Sequence, residues 1–167
     1  ETTGGVMIRA ALLVALVAVA APARAADEAK GEKVPHTDYE AYFEKNSSGL
    51  KGDASYLALT GTDGFDKVFA ARPPLIGKPR PALLPAGAFD KQFVAAVVKR
   101  GNAVTTYTVE AVTRDTDGTV YVQYKATAGP AGTATFASPL VVSVPKEGAK
   151  KVTFIENGKA VGTAEVK

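Results

Sequence analysis

Apolar and polar residues alternate at every second position through much of the C-terminal half of this chain. Across residues 119–127, Val120, Val122, Tyr124 and Ala126 share one face, while Tyr121, Gln123 and Lys125 share the other. A period of two is the signature of a strand buried on one side. Residues 104–114 repeat it with Tyr107, Val109 and Ala111, but Val112 falls out of phase, which predicts a bulge. The run FVAAVVK at 93–99 is almost wholly apolar and predicts a central strand buried on both faces. Residues 133–144 form another strand, in which Pro139 marks an edge, a bulge or a switch between sheets. Two hairpins follow from turn chemistry. Asp115-Thr116-Asp117-Gly118 joins 104–114 to 119–127, and Asn157-Gly158 joins 151–156 to 159–166.

The N-terminal half is less regular. SYLALT at 55–60 predicts a short strand. Thr37 and Glu40 have capping-box spacing, and Tyr39, Tyr42 and Phe43 then fall on one helical face, so a helix is predicted over 38–45. Phe65, Val68 and Phe69 behind Asp63 predict a second short helix over 63–71. Five prolines between residues 72 and 87 exclude a regular element and predict an ordered surface loop, with Arg72, Lys78 and Arg80 as its cations. The fold class expected is therefore mostly β, an antiparallel β-sandwich or open barrel with one or two short helices in its N-terminal part.

The first residues carry a different pattern. Met7-Ile8-Arg9 precedes twelve consecutive apolar residues, then Pro22 and the small-residue site Ala23-Arg24-Ala25. This is the layout of a Sec-type signal peptide over 7–25, with residues 1–6 an upstream extension. Twelve residues fall short of the roughly 20 that span a bilayer, so cleavage before Ala26 or Asp27 is expected, leaving no membrane span. Residues 26–35, rich in charge, read as a flexible tether, and 36–167 as a single β-rich domain. The implied location is periplasmic or secreted.

Composition narrows the chemistry. No cysteine occurs, which excludes disulfides, thiolate metal sites, a thiol nucleophile and a lipid-bearing cysteine anchor. His36 is the sole histidine, and a serine triad or a two-histidine metal site has nothing to build on. The net charge of +3 and the absence of a basic stripe give no nucleic-acid footprint. Glu110 and Glu156 are the strand carboxylates that a hydrolase could pair. Asp115 and Asp117 supply only half of a calcium loop. No cofactor is implied.

Several segments together resemble a known family. SYLALTGTDGFDKVFA, AFDKQFVAAVVKRGN, TYTVEAVTRDTDGTVYVQYKATAGPAG and SPLVVSVPK occur in this order over roughly residues 55–156. The order is similar to that of the PrcB-like family, named for a subunit of an extracellular protease complex. The chain departs from it where relatives carry a Gly-Gly-Tyr cluster, having Gly101-Asn102-Ala103-Val104 there, and in lacking a lipobox cysteine. The resemblance implies a non-catalytic accessory or stabilising subunit that binds a protein partner. A carboxylate-dependent hydrolase is the alternative. Two surfaces are candidates for partner binding: Tyr121, Gln123 and Lys125 on a strand face, and Arg72, Lys78 and Arg80 on the proline loop. The aromatic set Tyr39, Tyr42 and Phe43 is a third.

Overall fold

The computed structural model describes residues 31–77 and 79–167; the signal segment 7–25, the extension before it and Lys78 lie outside the described residues. Among the described residues eleven strands form three sheets, accompanied by one α-helix. In chain order the strands are β1 (Glu32–Lys33), β2 (Thr37–Asp38), β3 (Tyr42–Glu44), β4 (Ala54–Leu59), β5 (Phe69–Ala71) and β6 (Gln92–Gly101). They continue with β7 (Thr105–Arg114), β8 (Thr119–Ala128), β9 (Phe136–Pro145), β10 (Lys151–Glu156) and β11 (Lys159–Glu165). The helix α1 (Thr62–Val68) precedes β5 directly.

The first sheet has the order β1-β7-β8-β10-β11 and the second β2-β9-β6-β4, while β3 and β5 form a separate ribbon. The two larger sheets make the sandwich, and β6 explains its apolar run. Phe93, Ala95 and Val97 face a core shared with Val122, Tyr124, Val142 and Phe154 between the sheets. Val94, Ala96 and Val98 face a second core with Tyr42, Phe65, Val68 and Phe69 beneath α1 and the ribbon. One strand thus has no solvated face, and alternation disappears from its sequence.

The predicted bulge lies in β7, where the pairing with β8 shifts between Val109 and Ala111 and leaves Glu110 without an opposite residue. Pro139 stands in β9 where β6 pairs on one side, whereas β2 reaches only Val142 and Ser143 on the other. Its missing N–H falls on a part of the strand that is an edge.

Three expectations change. Residues 38–45 are not helical: β2 pairs with β9, Tyr39 N–H donates to Val141 C=O (2.9 Å), and β3 pairs with β5. Strand partners satisfy the backbone that a lone helical turn would have left to itself, and Tyr42 is buried while Phe43 points outward. The helix predicted over 63–71 ends at Val68, gives way to β5, and is capped by Gly61 rather than Asp63. The charged segment also orders at its end. Glu32 and Lys33 pair with Arg114 and Thr113, and Val34 is buried. Backbone pairing and one apolar anchor do there what charged side chains cannot. The antiparallel sandwich expected from the sequence stands, with one pairing, that of β8 with β10, parallel.

The flanks of the sandwich differ. On one, the Tyr56 ring of β4 lies on Gly162 of β11 and 5.4 Å from the Phe154 ring, so close that any β-carbon at 162 would collide with it. On the other flank β7 and β9 meet at Ser138, whose Oγ accepts from Thr105 N–H (2.9 Å) and whose C=O accepts from the Tyr107 hydroxyl (2.8 Å), and a groove opens beside these contacts.

Asn157 and Gly158 have φ of 51° and 78°, the positive pair that a two-residue type I′ hairpin requires. The Asn157 side chain extends the sheet further, its Oδ1 accepting from Ala126 N–H (3.2 Å) and its Nδ2 donating to Ala126 C=O (3.3 Å). Gly158→Val is expected to cost about 1–3 kcal/mol by forcing a β-branched residue to positive φ. Urea denaturation measures this, and an unchanged midpoint would contradict it.

Candidate functional site

The outer face of β8 places Tyr121, Gln123 and Lys125 side by side, opposite buried Val120, Val122 and Tyr124. Tyr121 is half-buried rather than freely exposed, and its hydroxyl donates to Asp115 Oδ2 (3.0 Å). Burial and the neighbouring carboxylate push its phenol up. Lys125 makes an ion pair with Glu110 (2.7 Å), which raises the ammonium above its ordinary value. The Tyr121 hydroxyl and the Lys125 ammonium are thus both engaged within the sheet.

Asp115 is the organiser of the adjoining turn. Its Oδ1 accepts from Thr119 N–H (2.8 Å) and Asp117 N–H (3.0 Å), and its Oδ2 from Tyr121. The bond from Thr119 is the main reason that the carboxyl lies below its usual range. A lowered folded-state pKa contributes stability above the unfolded value of about 3.9, and that contribution disappears as pH falls through the folded value. Wild type should therefore lose stability below about pH 4 more steeply than Asp115→Asn, which cannot ionise. Parallel acid limbs in the two denaturation profiles would refute this.

The two strand carboxylates are not brought together. Glu110 pairs with Lys125 on the outer face, whereas Glu156 turns inward, accepting from Lys99 Nζ (2.5 Å) and Tyr124 hydroxyl (3.2 Å). The Lys99–Glu156 pair ties β6 to β10 across the sandwich. Tyr56, Tyr107 and Tyr124 surround it, all pushed up by burial first and the Glu156 charge second. Phenols so raised stay protonated at neutral pH and serve as donors rather than bases. His36 is exposed, with Nδ1 3.4 Å from Val34 C=O. Among the described residues no cluster of three or more potential metal ligands occurs.

The proline loop is anchored at both ends and exposed between them. Arg72 N–H donates to Ala41 C=O (2.6 Å), and Leu84 N–H donates to the Tyr42 hydroxyl (2.9 Å). Between these anchors Leu75 is 64% exposed and Ile76 wholly so, with Arg72 and Arg80 also in solvent. Glu40, Arg72, Pro73, Pro74, Leu75, Pro79 and Pro81 line a concavity of about 550 Å³. Glu40 and Arg72 also border a groove of about 250 Å³ that runs to Tyr107 on β7 and to Pro139 and Leu140 on β9. Loop and open flank therefore form one continuous surface.

Proline density marks the loop in the sequence, and the apolar pair Leu75-Ile76 lies between Pro73-Pro74 and Pro79-Arg80-Pro81 with cations on both sides. The groove has no local signal, because it depends on which strand edges the topology leaves side by side. No helix among the described residues is long and apolar enough to cross a membrane. No family model, curated protein or solved structure matches the chain.

Proposed function

We propose that this chain is a non-catalytic exported β-domain that binds a protein partner, as an accessory or stabilising subunit of an extracytoplasmic enzyme. The observation that carries the binding role is the exposed pair Leu75 and Ile76 on a loop stiffened by Pro73, Pro74, Pro79 and Pro81. Apolar side chains held out in water cost solvation in the free protein and regain it when a partner covers them. Prolines fix the loop beforehand, which reduces the entropy lost on docking. The signal-like residues 7–25 support export, and the PrcB-like order of segments supports the accessory role.

The test is capture of the natural partner by the mature protein, followed by reconstitution from purified components. Leu75→Ser combined with Ile76→Ser should leave thermal stability unchanged and lower affinity by more than about tenfold, or 1.4 kcal/mol. Equal affinity in the double variant, or no partner recovered, would reject the reading.

A further inference from the structure

The open flank exposes two strand edges of unequal character. On β9 the edge beside the groove carries Pro139, which has no N–H to offer. On β7, β1 pairs only with Thr113 and Arg114, and no strand among the described residues pairs with that side between Thr105 and Ala111. The backbone groups of β7 can be assigned to sides. Val104 C=O accepts from Gly129 N–H (2.8 Å) on the β8 side, whereas Thr105 N–H donates to Ser138 Oγ (2.9 Å) on the other. Alternation along an extended chain then directs the N–H and C=O of Tyr107 and Val109 to the open side. The bulge at Glu110 shifts the phase, so that Val112 faces the same way, and its C=O accepts from Val34 N–H (2.9 Å).

Soluble β-proteins commonly protect such an edge with proline or lysine, and residues 105–111 contain neither. Their one charge, Glu110, is neutralised by Lys125. We propose that the free edge of β7 takes up an extended segment of a protein partner as an added antiparallel strand, with alternate apolar side chains entering the groove against Leu140. The inference rests on the partner-binding function proposed above and names its mode. β1 already occupies the end of this edge in antiparallel register and leaves it at Pro35, whose ring nitrogen cannot continue the ladder. A second copy fits less well. Paired about Tyr107, two β7 strands would overlap only over residues 105–109, because residue 103 precedes the strand. So short an overlap falls well below the roughly 800 Å² per partner of a stable interface.

The register makes the chemistry specific. A residue opposite Tyr107 shares its inward face and also exchanges backbone hydrogen bonds with it, so the apolar residues of the added strand are those whose amides face β7. The probe is the capped peptide Lys-Val-Thr-Val-Thr-Val-Lys, titrated into the mature protein and followed by amide chemical shifts. Saturable binding should move Tyr107 and Val109. N-methylation of the valines should weaken binding by more than about tenfold, and N-methylation of the threonines by less than about twofold. Val109→Pro removes an N–H that faces the open side and leaves the β8 ladder, so it should abolish binding in a folded protein. If that variant fails to fold, the two methylated peptides on wild type still decide.

No saturable binding up to about 1 mM, equal effects of the two methylations, or shifts confined to another surface would overturn the proposal. So would a concentration-dependent dimer that Val109→Pro dissolves. A reconstituted partner that needs Leu75 and Ile76 but binds Val109→Pro at full affinity would overturn this inference alone. Failure to recover any partner would instead remove the proposed function.

Discussion

Arg100→Met is expected to destabilise the protein by about 3–5 kcal/mol, the cost of breaking a buried ion pair from one side. Arg100 at the end of β6 grips Glu44 of β3 with two parallel bonds, Nε to Oε2 (2.9 Å) and Nη2 to Oε1 (2.7 Å). Its Nη1 donates to Gly52 C=O and to Ser55 Oγ, both at 3.1 Å. The Glu44 side chain is 8% exposed, and after the substitution only the Ser48 hydroxyl (2.6 Å) would still serve its carboxylate. The double variant Glu44→Met with Arg100→Met should recover much of the loss, since no buried charge is then left alone. Urea denaturation of the two proteins measures this. A single variant within about 1 kcal/mol of wild type would show that water reaches the carboxylate and that the pair does not hold the ribbon to the sandwich.

Phe154→Ala should cost a similar amount, about 3–5 kcal/mol, through lost transfer energy and the cavity left behind. Phe154 is fully buried in β10 and lies under the Tyr56 ring at the closed flank, where backbone on the other side leaves little freedom to collapse. Hydrogen exchange should quicken in β11 before it does in β6, because β11 is an edge strand held to β4 through this contact. A loss below about 1.5 kcal/mol would mean that the site relaxes as it does for volume-conserving swaps.

How much of this was legible in the sequence depends on how local the cause is. The bulge was visible because Val112 breaks a period of two within its own strand, and the Asn157-Gly158 turn because its φ values need those residues. The two-faced burial of β6 was visible because it removes polar residues from the sequence. Residues 38–45 fit a helical period through Tyr39, Tyr42 and Phe43, while their backbone partners, Val141, Val142 and Phe69–Ala71, are remote in sequence. The parallel pairing of β8 with β10 leaves no mark on either strand alone. Of the candidate surfaces, the proline loop announced itself by composition. Alternation puts Tyr121 on the outer face, but its half-burial and its bond to Asp115, which hold the ring expected to anchor a partner, are matters of geometry. The open edge of β7 follows from strand order, which local patterning does not encode.

The parallel pair bears on the order in which the molecule can assemble. β9 lies between β8 and β10 in the chain but belongs to the opposite sheet, so β10 reaches β8 only after the chain has visited the other layer. β11, the last described strand, meets β4, the first long one, at the closed flank. The first sheet therefore cannot be completed before the second has all its strands. A chain emerging N-terminus first has no finished layer until β9 is available. Loop closure over such separations precedes most of the contact energy, which places folding in the millisecond-to-second range of non-local β-proteins. The same wiring couples the two layers, since releasing β11 opens the flank at which Tyr56 of β4 packs on Gly162.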